Sequence, residues 1–126
     1  NLARIAASHE LTLFAHYATD TAGHRRDLAA GVDALERVDA FLGGLITALP
    51  ADLLLLIASD HGNIEDTRKG HTHNDAIALV VGRGHATFAR TLRRLTDVAP
   101  AILERLGMVD RLGVERGRGG SDEDDG

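Results

Sequence analysis

Two short apolar runs, residues 53–58 (LLLLIA) and 76–81 (AIALVV), bracket a polar stretch that holds Asp60, His61, Glu65, Asp66, His71, His73 and Asp75. Uninterrupted runs of this length read as buried strands, which places the acids and imidazoles in a loop at the C-terminal end of the first run. Upstream, residues 11–18 (LTLFAHYA) form a third run, with Phe14 and Tyr17, that also reads as a buried strand. It ends in the polar turn TDTAGHRRD, which carries Asp20, Gly23 and His24. From Asp27, Leu28, Val32, Leu35, Val38, Leu42, Leu45 and Leu49 recur at steps of three and four, the single stripe of an amphipathic helix that Gly43 and Gly44 weaken and Pro50 stops.

The resulting order of strand, helix and strand predicts a right-handed crossover between parallel strands. On that topology the Asp20/His24 turn and the Asp60/His61 turn share one edge of the sheet, the edge where open α/β sheets bind ligands. Residues 87–95 read as a short amphipathic helix. Thr96 or Asp97 then caps a further helix through Leu106, with Pro100 in its first turn and Gly107 at its end. The expected fold class is α/β, a partial and mostly parallel sheet flanked by helices.

Composition narrows the function classes. At 126 residues the chain holds one core, expected over residues 1–112, followed by a disordered Gly/Arg and then acidic tail at 113–126. No apolar run approaches the roughly 20 residues of a membrane span and the start has no signal-peptide pattern, so the expected protein is soluble, cytoplasmic and without a membrane partner. The absence of cysteine excludes disulfides, thiolate metal sites and cysteine nucleophiles. Four acids of the net charge of −5 fall in the terminal SDEDDG, which leaves a nearly neutral body and no electrostatic footprint for nucleic acid, despite the arginines of the last third. Asn1 in place of Met, and Leu2, Ile5 and Ala6 at helical spacing, suggest a C-terminal piece of a longer protein.

Any metal site must therefore use oxygen and imidazole donors. His9 and His85 read as surface residues and His16 as a hydrogen-bonded strand residue. Asp20 and His24, four apart, can reach one Zn²⁺ or Mn²⁺ from a turn or a first helical turn. Asp60 and His61 converge only if the chain bends, which Gly62 permits. His71 and His73 would face the same way in an extended chain. Each pair alone is an ordinary polar turn. Together on one sheet edge they favour metal binding over a polar loop cluster; a non-catalytic module whose acids and histidines scavenge metal or pack against a partner stays open as an alternative to an enzyme.

The segments DTAGH (20–24), SDHGN (59–63), GHT (70–72) and LTDVAPAILERLG (95–107) resemble, in order and spacing, the C-terminal metalloenzyme part of the alkaline phosphatase superfamily. The branch they look most like contains cofactor-independent phosphoglycerate mutase and phosphopentomutase, and the likeness covers residues 11–107. It implies an alkaline-phosphatase-like core fragment of a metal-dependent phosphoryl-transfer enzyme, with two divalent cations, Mn²⁺ or Zn²⁺. Asp20, His24 and His71 would hold one, and Asp60 and His61 the other; His71 is preferred to His73 because Thr follows it and Gly82 lies eleven residues on. The family's Ser or Thr nucleophile and the Asp beside it have no counterpart here, nor has the inserted cap domain. The resemblance thus implies a phosphorylated small-molecule substrate and, as partner, the missing N-terminal half of the same enzyme. A sulfatase or phosphodiesterase of the same superfamily is the alternative.

Overall fold

The computed structural model describes residues 1–109, so the tail expected at 113–126 lies outside the described residues. The chain divides into two compact units, Asn1–Thr91 and a second that begins at Leu92. In the first, α1 (Leu2–Ala6) is followed by an irregular segment, α2 (Ala18–Arg25), α3 (Leu28–Thr47), β1 (Leu54–Ala58), a 3₁₀ turn (Ile64–Asp66), β2 (Ala78–Gly82) and α4 (His85–Thr91). The second contains a 3₁₀ turn (Leu95–Asp97) and α5 (Val98–Arg105).

The predicted long helix is α3. Its first turn is closed by Asp27, whose side chain accepts from the N–H groups of Ala29 and Ala30 at 2.9 and 3.2 Å, satisfying two donors that have no partner within the helix. It ends at Thr47, three residues before Pro50. In α5, Pro100 occupies the first turn as expected. Gly107 has φ +65°, with Gly107 N–H on Glu104 O and Met108 N–H on Leu103 O, the paired bonds of a Schellman closure that favours a residue without Cβ.

The sheet corrects the expected topology. Among the described residues it has two strands, and they are antiparallel: Leu54 faces Gly82, Leu56 faces Val80 and Ala58 faces Ala78. The ladder is extended at both ends by Ser59 N–H to Ile77 O and Arg83 N–H to Leu53 O. A loop can join antiparallel strands directly, whereas parallel ones need a crossover of a dozen or more residues. Here the polar segment 59–77 turns the chain back without one.

The run 11–18 is not a strand. Residues 11–17 have no regular secondary structure and no ladder partner among the described residues, and the helix α2 begins at Ala18. Leu13 is 92% exposed and Tyr17 73%; Phe14 stacks on Phe41 of α3 with ring centroids 5.4 Å apart. His16, expected within a strand, is exposed in this segment. The apolar pattern was real, but a run forms a strand only where a neighbour supplies its backbone partners.

Packing against α2 and β2 gives the first unit its shape. α2 lies on α3 and on the 3₁₀ turn Ile64–Asp66, and α4, in which Phe88 is buried, packs on β2. Gly31 of α3 faces Ile64 and Thr67, so the helix approaches that turn closely. The buried apolar positions of this unit are Ala3, Ala22, Ala34, Leu45 and Phe88, mostly small side chains. Among the described residues no side chain is fully buried.

Candidate metal centre

α2 presents Asp20 and His24 one helical turn apart, and the i, i+4 relation puts both on one face. The Nε2 of His24 lies 3.5 Å from Asp20 Oδ1. From the far end of the hairpin loop His71 reaches the same point, with Nε2 3.5 Å from Asp20 Oδ1 and 3.0 Å from His24 Nε2. Three donor atoms of three side chains thus form a triangle with edges of 3.0 to 3.5 Å. Donors bound to one cation at roughly 2.0–2.2 Å are separated by about this much.

The expected convergence of these residues is present, but by another route. α2 carries Asp20 and His24 to the hairpin loop by packing on α3 and on the 3₁₀ turn, with no parallel strand involved.

Asp60 and His61 follow the end of β1. The chain bends there, and His61 Nε2 lies 3.6 Å from Asp60 Oδ1. Ser59 Oγ donates to His61 O at 2.7 Å, fixing the bend. The Nδ1 of His61 is 3.3 Å from Gly62 O; a carbonyl only accepts, so Nδ1 is the donor in that contact, and in the neutral ring Nε2 is then the atom with the free lone pair. The ring of His61 stacks on that of His71 with centroids 3.9 Å apart. Asp20, His61 and His71 also offer one donor each within 4.8 Å of one another, which makes the two expected ligand groups contiguous. His73 is exposed and has no hydrogen bond or ion pair among the described residues; His9 and His85 are exposed as expected.

Two residues that carry no periodic signal in the sequence organise the cluster. Asn63, 5% exposed, donates through Nδ2 to Asp20 O at 3.1 Å and Asp20 Oδ1 at 2.5 Å. This bond, opposed by desolvation and aided by the three neighbouring imidazoles, holds the Asp20 carboxyl below the usual carboxylate range. Asn63 Oδ1 is buried and has no hydrogen-bond partner among the described residues; it sits where a side chain on Gly23 would project. Glu65 accepts from Thr72 Oγ1, from Asn74 Nδ2 at 3.1 Å and from Asn63 N–H at 2.6 Å. Thr72 first, then the backbone and Asn74, keep its carboxyl below the ordinary range. Nearby, Arg68 holds Asp66 down at about 2, with Nε 2.8 Å from Asp66 Oδ1 and Lys69 Nζ 3.6 Å from Oδ2.

Gly62 serves the cluster by its size. A Cβ there would collide with Thr72 Oγ1 and stand 2.5 Å from Glu65 Oε1, and its φ is not in the left-handed region. The bend after β1 therefore uses glycine for close approach, with Thr72 N–H bonded to Gly62 O at 2.9 Å.

With that geometry in place, the comparison with known sequences is decisive. A profile of the Metalloenzyme superfamily matches residues 3–110. The chain belongs to this family. Phosphopentomutase of Deinococcus radiodurans is 43% identical over 88 residues, which cover 68% of this chain and 22% of that protein. The 2,3-bisphosphoglycerate-independent phosphoglycerate mutase of Thiobacillus denitrificans is 37% identical over 117 residues, 85% of this chain and 23% of that protein. That of Desulforudis audaxviator is 38% identical over 99 residues, 71% and 19%. The chain thus spans about a fifth of the length of these relatives. No solved structure matches it. As a Metalloenzyme superfamily chain it has an Asp/His donor set suited to divalent cations. Among the described residues no helix is long and apolar enough to cross a membrane.

Proposed function

We propose that this chain supplies the metal-binding part of a phosphoryl-transfer enzyme of phosphomutase type. The carrying observation is the triangle of Asp20 Oδ1, His24 Nε2 and His71 Nε2 at 3.0 to 3.5 Å. Two imidazole nitrogens and a carboxylate oxygen so close repel one another through their lone pairs unless a proton or a cation lies between them. A donor set of one oxygen and two nitrogens suits Zn²⁺ or Mn²⁺. In this reading Asp20, His24 and His71 hold one cation, and Asp60 and His61 contribute to a second. Bound cations would neutralise the charge of a phosphoryl group of the substrate.

The chain's own residues prepare for that task. Asn63 keeps Asp20 ionised and aimed, and the Gly62 carbonyl keeps the proton of His61 on Nδ1. The relatives named above favour a mutase over a sulfatase or phosphodiesterase, and a phosphorylated small molecule as substrate. The site residues here include no Ser or Thr nucleophile, so catalysis requires further chain from the same enzyme.

Calorimetric titration with Zn²⁺ and with Mn²⁺ tests the reading. The 126-residue chain should bind metal, and Asp20→Asn and His71→Ala should each weaken binding by at least about tenfold, the lower end of the losses seen when even outer partners of ligands are removed. Equal affinity in all three proteins would refute it. The chain alone should not turn over a phosphomonoester. Turnover that His61→Ala abolishes would overturn the view that the nucleophile lies elsewhere.

A further inference from the structure

We infer that Glu65 is the positioning residue of this centre, a carboxylate clamp that holds the loop carrying Asp60 and His61 against the segment carrying His71. The inference rests on the metal-binding reading above and assigns a role to a residue outside the ligand set.

Glu65 joins the two ligand-bearing segments of the hairpin loop through one side chain, beside the backbone bond from Thr72 N–H to Gly62 O. Its Oε2 accepts the N–H of Asn63, two residues after His61, at 2.6 Å. Its Oε1 accepts the hydroxyl of Thr72, the residue after His71, and Nδ2 of Asn74 at 3.1 Å. All three partners donate, and an ionised carboxylate is the side-chain group of this size with acceptors alone on both atoms. The isolated bridge between Gly62 and Thr72 runs alongside the clamp. Gly62 leaves open the space that the Glu65 and Thr72 oxygens occupy.

The consequence reaches the ligands through short covalent paths. Asn63 is joined to Asp20 by its side chain, so the residue whose backbone Glu65 holds is also the one that aims Asp20. His71 precedes Thr72 directly, and its ring stacks on His61. Releasing the carboxylate leaves the His61 and His71 segments joined by the Thr72 N–H to Gly62 O bond alone and takes from Asn63 its backbone anchor. Glu65 touches none of the donor atoms of Asp20, His24 or His71 in the described hydrogen bonds, and it therefore acts on the metal only through them.

Glu65→Gln keeps the shape but exchanges one acceptor for a donor, which then faces Asn63 N–H or the Thr72–Asn74 pair. Thr72→Val removes the hydroxyl at constant volume, and Thr72→Ser restores it. Zn²⁺ affinity of the 126-residue chain is measured by competition with a chromophoric chelator, and ligand geometry by the visible absorption of the Co²⁺-loaded chain. Glu65→Gln and Thr72→Val should each lose about 10–100-fold in Zn²⁺ affinity and change the Co²⁺ spectrum. Thr72→Ser should match the parent in both, and the metal-free melting temperatures should stay together.

If Glu65→Gln fails to fold, the Thr72→Val and Thr72→Ser pair decides the question alone. Parent-like affinity and spectrum in Glu65→Gln and Thr72→Val overturn the clamp. So does a loss that follows the metal-free melting temperature and is not restored by serine. His71→Ala, measured alongside, separates the two readings: if it binds Zn²⁺ like the parent the metal centre itself is wrong, whereas its loss beside an unaffected Glu65→Gln removes only the clamp.

Discussion

At the scale of single residues, the contact between Gly23 and Asn63 is, with that of Gly62 and Thr72, a tight constraint on the centre. Any Cβ at position 23 would overlap the Asn63 amide, which is buried between α2 and the hairpin loop. Gly23→Ala should therefore cost about 1–3 kcal/mol in urea unfolding, as overpacked positions do, and should weaken Zn²⁺ binding by moving Asn63 off Asp20. Stability and affinity both equal to the parent would show that the amide relocates freely. The convergence of Asp20, His24, His61 and His71 was legible in the sequence because histidines and acids cluster at the ends of apolar runs. Asn63 and Glu65 were not, since their roles depend on hydrogen bonds to residues 43 and up to 9 positions away, and no periodicity marks such pairs.

At the scale of elements, α3 was readable to within about two residues at each end because its stripe, its Asp27 cap and Pro50 agree. Asp27→Ala should remove two hydrogen bonds to the first turn and cost about 0.5–2 kcal/mol in chemical denaturation. Because α2 packs on α3, the loss should be accompanied by faster amide exchange in α2; unchanged exchange there would show that the two helices are held independently. The strands at 54–58 and 78–82 were also read close to their bounds. Their direction was not, because parallel pairing was inferred from the run at 11–18, and Leu11, Leu13, Phe14 and Tyr17 are all exposed. Hydrophobic pattern reports a wish for burial, and pairing depends on what else is present to be paired with.

At the scale of the whole molecule, a core made largely of alanines coexists with exposed Leu11, Leu13, Phe14, Tyr17, Leu28, Val32 and Leu35, in a chain about a fifth as long as its named relatives. Where such exposed side chains adjoin, as Phe14 and Phe41 do, they mark an interaction face or an aggregation liability. Leu13→Lys, at a position 92% exposed, should change unfolding free energy by less than about 0.5 kcal/mol yet lower self-association in light scattering. A large loss of stability would mean that Leu13 is buried in solution. The antiparallel hairpin has a further consequence, for the order in which the centre assembles. Ala58 and Ala78 are paired across 20 residues, while Asn63 and Asp20 meet across 43. Closing a loop of twice the length costs about 0.6 kcal/mol more in chain entropy, and nearby partners are found sooner. His61 and His71 should therefore come face to face before α2 arrives, with Asp20 and His24 closing onto them, and pulse-labelled hydrogen exchange that protects α2 before the hairpin would contradict this order.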